Sequence, residues 1–397
     1  VTAPDLTLTS LIADPYGGYT RLRADAPVHR VVGPDGLPFW LVTRYPDVRQ
    51  ALADPRLALD KAHAAPGNYR GFALPPALDA NLLNMDPPDH TRIRRLVVRA
   101  FTPRRIAALH APIEQVAGQL LDAMAPSGRA DLLAAYAAPL PITVICDLLG
   151  VPEDDRHDFR AWTDTLITPD PQQPEAARAA VKAMLGFFTG LIERKRTEPG
   201  DDLLSDLIAV RDEQDGGGGL SEDELTSLAF LILFAGYENT VHLIANAVLA
   251  LLTHPEQLAA LRAEPELIDG AVEEFVRFDG PAPLAIRRFP REDVTIGGVT
   301  VPAGETVLLA LGSANRDPGQ FTDPDRLNLR RRENGHLALG HGIHYCLGAP
   351  LARMETAIAL TALLRRFPAL ALDVPVERLR HRPTLRARGL LELPVRY

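Results

Sequence analysis

The stretch from Ser221 to His254 restricts the fold more than any other. Ser221 with Glu224 three residues on is a capping box, a reciprocal pair of side-chain to backbone hydrogen bonds that starts a helix. From Leu225 the pattern stays helical to about His254, roughly 30 residues or ~45 Å at the rise of an α-helix. A helix of that length crosses a whole domain, so the rest of the chain must be arranged around it. A bilayer span is the first alternative, because Leu228 to Phe234 is wholly apolar. It fails because Tyr237, Glu238, Asn239, Thr240, His242 and Asn246 interrupt the run before the ~20 apolar residues a membrane needs. Gly236, Glu238, Asn239 and Thr240 at the centre of a buried helix cost stability in backbone propensity and in polar desolvation. Such costs mark a site.

Most of the remaining sequence is also helical. The periodicity predicts helices over 20–26, from 47 onward, and over 89–100, 105–124, 131–149 and 175–196. Strands are predicted at 28–32 and 39–42 around Gly33-Pro34-Asp35-Gly36, and at 294–301 and 306–311 around Pro302-Ala303-Gly304. The Pro/Gly-rich stretch 65–77 and the run Gly216 to Gly219 read as loops. There is no fixed-period repeat and no long linker. The expectation is one mainly α domain over residues 1–397 with small β-sheets, its β-rich parts near 28–43 and 283–311.

Composition excludes several classes of function. With Lys+Arg 42 against Asp+Glu 51, the net charge of −9 argues against a protein that coats nucleic acid. A hydrophobic content of 46% and a charged content of 23% are globular values. Cys146 and Cys346 cannot build a disulfide framework, which suits a reducing cytoplasm. Val1 to Asp5 has no basic run leading into an apolar stretch, so no signal peptide is expected.

The richest local pattern lies at 336–353, where Gly340, Gly342, His344, Cys346, Gly348 and Pro350 form a glycine-rich loop leading into a helix. A cysteine just ahead of a helix start meets unpaired N–H groups and the positive end of the dipole, which favour thiolate over thiol. Such a thiolate is a metal ligand or a nucleophile. Structural zinc would need paired Cys or His spacings that this stretch lacks. A catalytic cysteine would need a histidine base, and nothing independent identifies one. A phosphate loop would need a lysine after the glycines.

Four further segments join this one in order. They are Glu274-Phe275-Val276-Arg277; Asn315-Arg316-Asp317-Pro318 followed by Phe321, Asp323, Pro324 and Arg326; Ala235 to Thr240; and His90 with Arg94 after Met85-Asp86-Pro87-Pro88-Asp89. Together with the Cys346 loop they resemble the haem-binding and oxygen-binding motifs of the cytochrome P450 superfamily, specifically its soluble bacterial members. The resemblance covers nearly the whole chain. It implies a single-domain P450 fold with the long central helix over the haem.

On that resemblance Cys346 is the axial thiolate of haem b (iron protoporphyrin IX), a ligand whose electron push favours O–O cleavage. His90, Arg94, Arg288 and His344 match positions that neutralise the propionates, and Ala235, Leu339 and Gly348 would also border the haem. Glu274 and Arg277 would pair with each other and with Arg316 or its neighbours, fixing the meander before the loop. Gly236 would leave room for O2, and Glu238 would be the carboxylate of proton delivery. Two positions depart from the family pattern. Asn239 stands where the family has threonine, with Thr240 one place later, and Leu339 stands where it generally has phenylalanine.

The substrate would meet Phe234, Leu284, Ala285 and Leu390, together with the loop at 72–83. These implied linings suit a bulky, largely apolar small molecule such as a polyketide or macrolide. Having no flavin or nicotinamide motif, the chain would draw electrons from ferredoxin, its reductase and NAD(P)H. Arg92, Arg95, Arg99, Arg104 and Arg105, joined by Arg353, are the expected basic patch for that acidic partner. The implied activity is a monooxygenase that hydroxylates or epoxidises, acting as a cytoplasmic monomer without a membrane. The alternatives are oxidative coupling, a reductant-independent isomerase or dehydratase, and a catalytically silent recruitment module.

Overall fold

The computed structural model describes residues 8–33, 36–69, 75–167, 174–212, 219–332 and 334–397. Pro34 and Asp35 of the expected hairpin turn, positions 70–74 of the expected loops, and Gly216 to Gly218 lie outside the described residues.

The long helix forms as the capping box predicts. It runs Glu222–Thr253, with Glu224 N–H donating to Ser221 Oγ at 3.1 Å and Ser221 N–H donating to Glu224 Oε2 at 2.8 Å. By length and composition it could cross a membrane, but most of its apolar window is buried inside the protein. A buried core helix reads the same way in hydropathy because both environments select apolar residues.

The chain forms two compact units, one of Val1–Gly71, Leu121–Ala137 and His242–Tyr397, the other of Phe72–Leu120 and Ala138–Val241. All described strands belong to the first. Val28–Val32 and Pro38–Val42 pair antiparallel, and Pro38–Val42 pairs in parallel with Val307–Leu309. The core beside this sheet gathers Val28, Val42, Val48, Leu52, Val294 and Val307, all nearly or fully buried. The helix Ile268–Asp279 and the helix Ala349–Arg366, which follows the cysteine loop, pack together in this unit. The second unit is built from helices, including Asp89–Ala100, Pro139–Leu149, Arg156–Ile167, Pro174–Thr197 and Leu203–Asp212. Phe159 sits between Phe187 and Phe188, with ring centroids 5.2 and 5.7 Å away.

Three predicted elements divide where local chemistry overrides periodicity. The stretch 294–301 is a hairpin, Val294–Ile296 against Val299–Val301. Gly297 and Gly298 have φ of +54° and +81°, the pair of left-handed residues a two-residue turn demands. The stretch 131–149 is a strand Arg129–Asp131, a π-helical segment Leu133–Ala137 and a helix Pro139–Leu149. Leu132 N–H is taken by Leu393 O at 2.9 Å, and Pro139 and Pro141 lack N–H groups, so the helix must restart there. The stretch 105–124 divides into Pro103–Ala108, capped by Thr102, and His110–Met124.

Candidate active site

In the first unit, Cys346 is an exposed thiol on the loop before Ala349–Arg366, whose N-cap is Gly348. The loop is shaped by two backbone reversals at Gly340 and Gly342, with φ of +77° and +76°. Only glycine takes such angles without steric cost. Cys346 N–H donates to Leu339 O at 2.9 Å and Gly340 N–H to Leu337 O at 2.8 Å. Leu337 N–H donates to Asn315 Oδ1 at 2.7 Å, tying the loop to the meander. Leu339 is half-buried, as is His344.

The meander is anchored by a buried ion pair. Arg277 Nε and Nη2 donate to Glu274 Oε2 and Oε1 at 2.7 and 2.8 Å, both side chains being fully buried. Arg277 Nη1 spans to Asn315 O at 2.9 Å and Pro324 O at 2.8 Å. The third charged partner is Arg331, whose Nε lies 3.1 Å from Glu274 Oε2; the sequence reading missed it. Arg316 does not join the pair, although its neighbour Asn315 does. Its guanidinium instead lies 3.7 Å from the Tyr16 ring centroid and 4.1 Å from that of Phe278, and it donates to Phe278 O and Asp325. Two aromatic faces flanking a planar cation make this stacking favourable.

The same unit holds Arg288, buried and joined through its backbone to Val307 by two 2.9 Å bonds. Ala285 N–H bonds to Leu309 O at 2.9 Å, and Leu284 and Ala285 are partly buried against the sheet cores. Leu390 is fully buried, so it belongs to the core, whereas its neighbour Leu391 is 46% exposed. A surface groove lined by Arg44, Arg49, Arg56, Asp317 and His341 contains none of the expected substrate residues.

In the second unit, His90 is buried in the helix Asp89–Ala100 and Arg94 is half-buried one turn later. On the long helix, Ala235 and Asn239 are exposed and Phe234 and Glu238 half-buried. Their spacing puts all four on one face. Leu233, Tyr237 and Thr240 are buried. Thr240 Oγ1 donates to Gly236 O at 3.0 Å, while Asn239 Nδ2 reaches Ala235 O at 3.4 Å. The threonine hydroxyl is therefore spent on its own helix. Gly236 also meets a close neighbour. A Cβ there would fall 2.5 Å from Ile145 Cδ1 and 3.2 Å from its Cγ1, so a side chain at this position would displace the tip of Ile145 on the helix Pro139–Leu149.

Three of the arginines expected to face a partner are already engaged. Arg92 pairs with Glu224 and donates to Gly219 O at 2.8 Å. Arg105 pairs with Asp206 at 2.6 Å and Asp201 at 3.3 Å. Arg353 is bound by Glu273. Arg95, Arg99 and Arg104 are exposed.

The donor set fits a haem. Among the described residues no group of three or more His, Cys, Asp or Glu side chains could hold a bare metal ion. A metal arriving with its own ring of nitrogen donors needs only a thiolate such as Cys346. Beside it, a Cβ on Gly348 would meet no atom within 4 Å, so the backbone next to Cys346 is open on that side.

Residues 154–380 match the family model described as Cytochrome P450. The chain is 50% identical over 387 residues to the cytochrome P450 monooxygenase PikC of Streptomyces venezuelae, a match covering 97% of this chain and 91% of that protein. It is 45% identical over 405 residues to the 6-deoxyerythronolide B hydroxylase of Saccharopolyspora erythraea, covering 100% and 99%. Among solved structures it is similar to the ligand-free P450 monooxygenase TamI, with a TM-score of 0.88 at 46% identity, covering 98% of this chain and 92% of that one.

Proposed function

Because the chain belongs to the cytochrome P450 family, we propose that all of it works as one catalytic domain, a cytoplasmic haem-thiolate monooxygenase. Its substrate is a bulky, largely apolar polyketide or macrolide, and its electrons come from NAD(P)H through a ferredoxin. The support for this substrate class is the naming of relatives such as 6-deoxyerythronolide B hydroxylase and the mycinamicin IV hydroxylase/epoxidase of Micromonospora griseorubida. The observation that carries the reading is the exposed thiol of Cys346 on a glycine-shaped loop joined to the meander through Leu337 and Asn315.

When bound, the haem supplies the activation of dioxygen. Cys346 gives the thiolate. His90, Arg94, Arg288 and His344 are the cationic or protonatable residues that would hold the propionates by charge-assisted hydrogen bonds. Ala235, with its small side chain, keeps the exposed face of the long helix low. Glu238 carries protons inward, and Asn239 orders a water, since an amide donates hydrogen bonds but is a poor acid. Phe234, Leu284, Ala285 and Leu391 present apolar surface to the substrate. The ferredoxin meets the exposed arginines Arg95, Arg99 and Arg104. One oxygen atom enters the substrate and the other leaves as water.

Turnover under isotope-labelled dioxygen with a ferredoxin system tests this, with label expected in the product. A second reading is favoured by one observation, the engagement of the Thr240 hydroxyl by Gly236 O. It is isomerisation or dehydration without reductant, and product formed when the reductase is withheld would establish it.

A further inference from the structure

One carboxylate outside the catalytic set described above gathers both ends of the Cys346 loop. Glu273, next to Glu274 on the helix Ile268–Asp279, has Oε2 at 3.1 Å from His336 Nε2, where the loop begins. Its two oxygens accept from Arg353 Nε at 2.5 Å and Arg353 Nη2 at 2.9 Å, on the helix that follows the loop. The same guanidinium donates from Nη2 to the hydroxyl of Tyr345, 3.2 Å away, the residue bonded to Cys346. The His336 side chain is 3% exposed, which shields its bond from competing water, while Glu273 and Arg353 are 27% and 36% exposed.

We propose that Glu273 is a positioning residue for the thiolate: by gripping His336 and Arg353 it sets the span of the loop and the direction in which the sulfur is presented. The inference rests on the reading of Cys346 as the axial ligand. It follows from where these bonds fall, at both ends of a stretch whose interior is held by the backbone bonds to Leu339 and Leu337 and by Asn315. Gly340 and Gly342 permit the turns, but glycines also carry the largest conformational freedom in the unheld chain. Fixing the ends of a loop of that composition narrows the shapes its interior bonds would otherwise leave open.

The chemistry of the grip supports this. Burial pushes the Glu273 carboxyl upward, but the bonds from His336 and Arg353 outweigh it and hold its pKa at about 2. It therefore remains an anion at any working pH. The paired bonds to Arg353 use the planar fork of the guanidinium, which a lysine cannot reproduce. Arg353 is thereby removed from the partner-docking arginines and given a task beside the ligand. Residues that orient a ligand from behind cost roughly 10- to 100-fold in metal affinity or activity when removed.

The test uses the haem-loaded protein and the variants Glu273→Ala, Glu273→Gln and Arg353→Lys. Amide hydrogen exchange over 337–348 and the rate at which the reduced carbonyl complex loses its thiolate band are both measured. We expect Glu273→Ala to speed both by roughly tenfold, Glu273→Gln to lie between it and the parent, and peptides of 355–366 to exchange as before. Loop exchange within about twofold of the parent, or equal loosening of the helix, would overturn the proposal. Should Glu273→Ala fail to fold, the Gln and Lys variants carry the same comparison. A parent protein without a thiolate band would sink the reading of Cys346 instead, and loop exchange would still report the grip.

Discussion

Glu274 in the first unit accepts from Arg277, Arg331, Asn334 and the backbone of Asn328, whereas the Asn239 amide in the second reaches Ala235 O at 3.4 Å. The first arrangement is a buried charge with every acceptor position used, and it has one stable geometry. The second is a polar group near the limit of hydrogen bonding, exposed beside Ala235 on a helix that is mostly buried, and it can turn toward whatever enters. On the proposed function, a thiolate loop must not move, while a substrate and proton region must adapt. The stability of a fold is spent unevenly for that reason.

The contrast is broken most forcefully at Arg277. Arg277→Leu leaves Glu274 buried with a single remaining cation, and removing one partner of a buried pair costs about 3–5 kcal/mol. Urea unfolding should show that loss together with reduced haem content per chain. A loss below about 1 kcal/mol would mean that the meander is held elsewhere.

A smaller effect follows from Glu355, buried on the helix after the cysteine loop, whose Oε1 has no hydrogen-bond partner among the described residues. Burial alone pushes its pKa from 4.5 to about 8. Between those values the folded chain binds more protons than the unfolded one, so this group makes stability fall as pH rises from 4.5 toward 8. Glu355→Gln should remove that slope, worth about a few kcal/mol over the window. A profile parallel to the parent's would contradict it.

Next comes Gly236→Ala. Its Cβ meets Ile145 Cδ1, and overpacking of this kind costs about 1–3 kcal/mol. Ile145→Val removes that methyl and should recover part of the loss in the double variant, read by thermal melting. If Gly236→Ala is neutral alone, packing is not the reason for the glycine. The smallest change in stability is expected at Asn239, where Asn239→Ala should stay within about 0.5 kcal/mol. The product formed per reducing equivalent consumed should nevertheless fall. Unchanged coupling in both Asn239→Ala and Asn239→Thr would remove Asn239 from proton delivery.

What could be read in the sequence was local. Ser221 with Glu224 announced the long helix because both halves of the cap lie within one turn. The Cys346 loop was legible because glycines and a lone thiol have few other uses in that spacing. Gly297-Gly298 was overlooked inside an apolar run, and the break at Pro139 was hidden by a helical period on both sides. The acids that neutralise Arg92 and Arg105 lie 132 and 101 residues along the chain, beyond any pattern. Glu273 was invisible for a related reason: its meaning depends on His336 and Arg353, 63 and 80 residues away.

The account stands on sulfur from Cys346 binding the iron of a haem. Reducing the purified protein under carbon monoxide tests this most directly. The prediction is the red-shifted absorbance band peculiar to thiolate ligation, lost on Cys346→Ser. A spectrum typical of nitrogen ligation, or protein that takes up no haem, would contradict it.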